Sequence, residues 1–99
     1  MKPNLIQTKV DFRDFLAKAI VKTDEFLKLD ASWSILVQVK QQLEFMRQCT
    51  DNGRDPLPDE AQKITIGPIA VRNFDDTHPE YAAWLMELDG SFKKWKNLR

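Results

Sequence analysis

The residues able to do chemistry are few and far apart. One histidine, His78, stands in the run Thr-His-Pro-Glu, and one cysteine, Cys49, stands near the end of a helical pattern. Two adjacent aspartates, Asp75 and Asp76, precede the histidine. A Cys–His nucleophile needs the two side chains within hydrogen-bond reach, and nothing in the sequence places His78 beside Cys49. Adjacent carboxylates in a helix or turn point apart, so Asp75 and Asp76 do not read as an acid/base pair. Metal sites need several His, Cys or carboxylate ligands at set spacings, and none is present. The three glycines stand at 53, 67 and 90, too scattered for a phosphate-binding loop. A small enzyme using Asp75, Asp76 or His78 is therefore the weakest reading. The expectation is no catalytic residue, no cofactor and no metal.

What remains is surface. From Asp51 to Ser91 there are nine acids against three bases, a local net of −6, while the last eight residues carry four bases and no acid. This is either a solvated face with a basic helix end that complements the helix dipole, or an acidic surface used for recognition. Overall the acids and bases balance at fifteen each, which argues against a nucleic-acid partner, since phosphates call for a basic surface. Three tryptophans, Trp33, Trp84 and Trp95, are many for 99 residues. Trp84 lies on a helical stripe and reads as core. Trp33 and Trp95 lie at helix margins and read as candidate contact residues, because Trp gives a large buried area with few rotors to freeze.

The elements that must position these residues are helical. In residues 11–29, Phe12, Phe15, Leu16, Ala19, Ile20, Phe26 and Leu27 fall at helical steps, with Asp11 as the expected cap. A second helix runs through Leu36, Val39, Leu43 and Met46. Ser32 or Asp30 is its expected cap, and the Asp-Asn-Gly at 51–53 ends it. Pro58 can open a short third helix. The β-branched run at 64–66 resembles a strand but has no partner strand, so the reading is a short helix capped by Thr65, with Ile66, Ile69, Ala70 and Phe74 on one face. The step Thr77–Glu80 has the pattern of a capping box, and Tyr81, Trp84, Leu85, Leu88, Phe92 and Trp95 then hold one stripe through Gly90. The predicted fold is an all-α, single-domain bundle of about four to five helices spanning residues 1–99. Its expected core is Phe15, Leu16, Ile20, Leu36, Val39, Leu43, Ile69, Phe74, Trp84, Leu85 and Leu88. One cysteine allows no internal disulfide, residues 1–9 hold no apolar run of signal-peptide length, and no segment reads as a membrane span. The expected compartment is the cytoplasm.

The run "ITIGPIAVRNFDDTHPEYAAWL", preceded by "QVKQQLEFMRQ", resembles one family: the immunity proteins that neutralise NAD(P)-hydrolysing toxins delivered by bacterial type VI secretion. The similarity spans roughly residues 33–88 and is carried by Gly67, Ala70-Val71, Phe74-Asp75, Thr77 and Pro79-Glu80. It implies an all-helical, non-enzymatic protein that covers the active site of a toxin domain, its partner. With that role, Asp75, Asp76, Glu87, Asp89, Trp33 and Trp95 are the expected toxin-binding residues. A helical adaptor that binds another host protein is the alternative, and homo-oligomerisation stays open.

Overall fold

A computed structural model describes residues 5–99; the part of the signal-peptide reading that concerns residues 1–4 lies outside them. Five α-helices follow one another: α1 Lys9–Leu29, α2 Ser34–Thr50, α3 Pro58–Gln62, α4 Ile66–Asn73 and α5 Pro79–Lys93, with single 3-10 turns at Asp51–Gly53 and Trp95–Asn97. No strand occurs among the described residues, so the β-branched run at 64–66 is helix entry, as its lack of a partner strand requires. The radius of gyration, 12.8 Å, is that of a single packed domain of this length.

Helix α1 begins earlier than its apolar stripe suggests. Thr8 is the cap: its hydroxyl accepts the Asp11 N–H at 3.0 Å, and the Asp11 carboxylate accepts the Thr8 N–H at 3.2 Å. Asp11 is thus the third-position partner in a capping box and not the cap. Phe12, Leu16, Ala19 and Thr23 form the buried stripe.

Helix α2 has Trp33 at its cap position, with no side chain capping it. The expected caps Asp30 and Ser32 bond each other instead. Asp30 Oδ1 accepts the Ser32 N–H at 3.1 Å and its hydroxyl at 2.6 Å. Leu36, Val39, Leu43, Met46, Cys49 and Thr50 line the buried side. The helix stops where Asn52 (φ 55°) and Gly53 (φ 76°) enter the left-handed region, the conformation expected of Asp-Asn-Gly.

The short helices are tied down by side chains from elsewhere. Glu60 accepts the Leu57 N–H at 2.8 Å at the start of α3. Thr65 precedes α4 but makes no cap bond. Gln42 of α2 grips it instead, accepting the Thr65 N–H at 2.7 Å and donating to its hydroxyl at 3.0 Å. The capping box expected at Thr77–Glu80 is absent as well. The cap position of α5 is His78, and the Thr77 hydroxyl turns to His78 Nδ1 at 2.9 Å. Helix α5 runs unbroken through Gly90.

Helix α4 packs chiefly on α5, and α1 packs on α2 and α5. Aromatic clusters fill the two ends of the bundle. Phe12 lies against Phe92 (6.1 Å between centroids) and Trp95 (5.1 Å). At the other end Phe26, Trp33, Phe74, His78 and Tyr81 interlock. Fourteen helical residues separate Phe12 from Phe26, so these clusters stand roughly 21 Å apart. Of the expected core, Leu16, Leu36, Val39, Leu43, Phe74, Leu85 and Leu88 are buried. Phe15, Ile20, Ile69 and Trp84 are only partly buried against it, and Trp84 meets Phe15 edge-on at 6.4 Å near the surface.

Candidate functional site

The turn between α4 and α5 is the best-defined exposed feature at the Phe26–Phe74 end. Phe74 is fully buried between Trp33 (5.7 Å) and Tyr81 (5.3 Å) and anchors the turn from below. The Phe74 carbonyl accepts the His78 N–H at 2.7 Å and closes it. The His78 ring leans on Phe26 at 4.8 Å and is only partly exposed. Between these two fixed points Asp75 and Asp76 stand in solvent, and neither belongs to an ion pair among the described residues. The turn therefore holds two uncompensated negative charges on a base that cannot easily relax.

Tyr81 supports this base from inside. Thr23 donates its one hydroxyl proton to the Ala19 carbonyl at 2.7 Å, so the Tyr81 hydroxyl donates to Thr23 Oγ1 at 2.5 Å. Burial pushes the Tyr81 phenol up to about 12.

The six residues expected on a contact surface do not form one patch. Asp75, Asp76 and the half-buried Trp33 share the Phe74 end. Glu87 lies nine residues into α5, roughly 14 Å along the helix from His78, and accepts the Leu5 N–H at 3.2 Å. Asp89 is 6% exposed. Its Oδ2 accepts the Gly67 N–H at 2.8 Å, and its Oδ1 meets Lys93 Nζ at 2.7 Å. It supplies, from another helix, a cap that Thr65 does not give α4. Trp95 is also buried, packed on Phe12 with its indole N–H donated to Asp55 at 2.7 Å. The expectation of exposure is thus corrected for these two: each has an internal partner that holds it in the fold.

The nucleophile candidates are kept apart. Trp33, which touches the cluster holding His78, and Cys49 lie sixteen residues apart along α2, roughly 24 Å. Burial, reinforced by the Glu60 carboxylate beside it, pushes the Cys49 thiol up to about 11, away from the reactive thiolate. Among the described residues, no group of three or more His, Cys, Asp or Glu side chains converges to hold a metal, and no helix is long and apolar enough to cross a membrane.

One exposed residue at this end was not evident from the stripes. Leu29, the last residue of α1, is 86% exposed. Its signal in the sequence is that it falls off the buried face set by Phe12, Leu16, Ala19 and Thr23.

The Tsi6 family model matches residues 11–94, from the first turn of α1 past the end of α5. The chain belongs to the Tsi6 family. Tsi6 is a type VI secretion immunity family, so membership makes this an immunity protein with a cognate toxin as partner, in a family that is generally non-enzymatic. The match takes in α2 to α5 whole and all but the first two residues of α1, and includes Asp75, Asp76 and the residues beneath them. No curated protein and no solved structure matches the chain.

Proposed function

We propose that this chain neutralises an NAD(P)-hydrolysing toxin domain by seating its Asp75–Asp76 turn and Trp33 at the mouth of the toxin's active site, with Glu87 at the margin of the contact. Within a Tsi6-family protein, the observation that carries this reading is the pair of exposed carboxylates, without an ion pair among the described residues, on a turn anchored by Phe74. NAD(P) is anionic, so a pocket that binds it offers cations or N–H donors. Carboxylates on an inhibitor can satisfy those groups in place of phosphates, through charge-assisted bonds. A rigid turn presents them without a large ordering cost on binding. Asp89 and Trp95 serve this reading indirectly, as supports of α4 and of the chain's C-terminal turn.

The test is co-expression with the product of the adjacent gene, co-purification, and an NAD(P)-hydrolysis assay of the toxin with and without this chain. The double variant Asp75→Lys, Asp76→Lys should weaken the complex at least about thirtyfold if the carboxylates are paired and desolvated, equivalent to about 2 kcal/mol. Unchanged affinity at both low and physiological salt rejects the acidic turn as the contact. A neighbouring toxin that binds but does not consume NAD(P) rejects the substrate assignment alone.

A further inference from the structure

We infer that Leu29, at the corner between α1 and α2, is an apolar anchor of the same toxin contact; this rests on the reading above. Single exposed leucines are ordinary, so exposure does not carry the inference. Its surroundings do.

The corner is stiff. The Asp30 N–H donates to the Phe26 carbonyl at 3.0 Å, and the Trp33 N–H donates to the Asp30 carbonyl at 3.3 Å. The Asp30 carboxylate is bound twice by Ser32. Leu29 is therefore presented on a fixed turn, and little conformational freedom is lost when a partner covers it.

The corner also shares its foundation with the acidic turn. Phe26, one helical turn before Leu29 and Asp30, packs on His78 at 4.8 Å and Tyr81 at 5.1 Å. Trp33, just after the corner, packs on Phe74 at 5.7 Å. Leu29 and the Asp75–Asp76 turn thus stand on one aromatic cluster at one end of the bundle. Lys28 and Arg72 are the cations nearest along the chain, and neither is ion-paired to Asp75 or Asp76. An apolar residue and unneutralised carboxylates raised on one aromatic foundation have the makings of a binding surface with a dry point and a polar rim. The occupant that fits is the toxin domain, offering an apolar notch next to cationic or N–H-donating groups.

The experiment titrates a catalytically inactive form of the neighbouring gene's toxin domain with the full chain and three variants: Leu29→Ala, Leu29→Asp and Leu57→Asp. Leu57 is 58% exposed in the α2–α3 connection and serves as the off-site control. Full burial of a leucine changes an equilibrium constant by about ten- to a hundredfold, so Leu29→Ala should weaken binding about tenfold and Leu29→Asp more. Leu57→Asp should bind like the unmodified chain. At 86% exposure Leu29 holds nothing in the fold, so circular dichroism and melting of both Leu29 variants should match the parent, and Leu57→Asp should remain folded. Affinity within threefold of the parent for both Leu29 variants overturns the inference, as does equal weakening by Leu57→Asp. If the unmodified chain binds and the Asp75/Asp76 reversal weakens the complex while the Leu29 variants do not, only this inference falls. If the unmodified chain does not bind, the functional reading falls and takes the inference with it.

Discussion

Replacing Asp89 by Ala should destabilise the fold while leaving the binding surface intact. The side chain is 6% exposed and accepts the Gly67 N–H at 2.8 Å, one of the donors at the start of α4 that has no partner within its own helix. Gly67 is itself buried, so in the variant that N–H faces no acceptor and no bulk water. Losing a hydrogen bond to a charged acceptor costs about 1.5–3 kcal/mol. The contact with Lys93 adds little, because the lysine side chain is 43% exposed and screened by water. A loss of about 2–3 kcal/mol is therefore expected. For a domain of this size it lowers Tm by roughly 8–24 °C. Guanidinium unfolding followed by tryptophan fluorescence measures it, with an unchanged slope showing that the same folded state is being unfolded. Asp89→Asn retains an acceptor oxygen and should lose only about 1 kcal/mol. Asp75→Ala and Asp76→Ala, on exposed residues without ion pairs, should stay within about 0.5 kcal/mol of the parent. In toxin binding the ranking reverses: folded Asp89→Ala should bind within threefold of the parent. A loss below about 0.5 kcal/mol for Asp89→Ala would refute the capping role, and strong loss of binding in the folded variant would return Asp89 to the contact surface.

Three further outcomes follow from the same packing. An alanine Cβ at Gly67 would stand 2.9 Å from Asp89 Oδ2, whereas at Gly90 it would meet nothing within 4 Å. Gly67→Ala should therefore lower the unfolding midpoint, and Gly90→Ala should raise stability by about 0.5–1 kcal/mol; the same sign for both would refute the placement of α4 on α5. Tyr81 is the single tyrosine, so absorbance of its phenolate reads it directly, and half-ionisation is expected at about 12. Because its folded pKa lies above the ordinary value of 10, its contribution to stability is complete below pH 10 and is lost as pH rises towards 12; a midpoint near 10 in the folded chain would refute its burial. With the Cys49 thiol raised from 9.0 to about 11, its thiolate population at pH 8 is about a hundredfold below that of the unfolded chain, and thiol labelling should be slower by at least that factor until the protein unfolds.

The helices were legible because apolar spacing is a property of each segment by itself. Leu36, Val39, Leu43 and Met46 identify the inner face of α2 without reference to anything else. Helix ends were less legible because their partners can come from remote parts of the chain. Thr65 has the right residue type to cap α4, yet Gln42, 23 residues earlier, and Asp89, 22 residues after Gly67, satisfy that end. Thr77 and Glu80 have capping-box spacing, yet His78 takes the cap position, where its ring packs on Phe26 and Phe74. The same limit applied to the acids. Local charge density grouped Asp75, Asp76, Glu87 and Asp89, and only tertiary contacts distinguish an acid that faces water from one that faces Gly67.

That distinction bears on how an immunity protein can carry a strongly acidic segment and remain folded. Like charges gathered on one surface repel, and the compact state bears the cost. Here several acids of the segment have duties within the fold. Asp55 accepts from Trp95, Glu60 from Leu57 and Arg54, Glu87 from Leu5, and Asp89 from Gly67 and Lys93. Each of these charges is matched by a donor of the fold itself, so it contributes to cohesion as well as to net charge. Among the described residues Asp75 and Asp76, like Asp59 and Glu80, receive no such donor, and of these the aspartate pair stands where Phe74, Trp33 and Tyr81 fix the backbone beneath it. A substitution at either should therefore leave stability nearly untouched, so on the proposed contact these positions can change without cost to the fold. Substitutions at Asp89 or Gly67, by contrast, loosen the junction of α4 with α5 and are felt in stability, while the turn keeps its own anchor in Phe74.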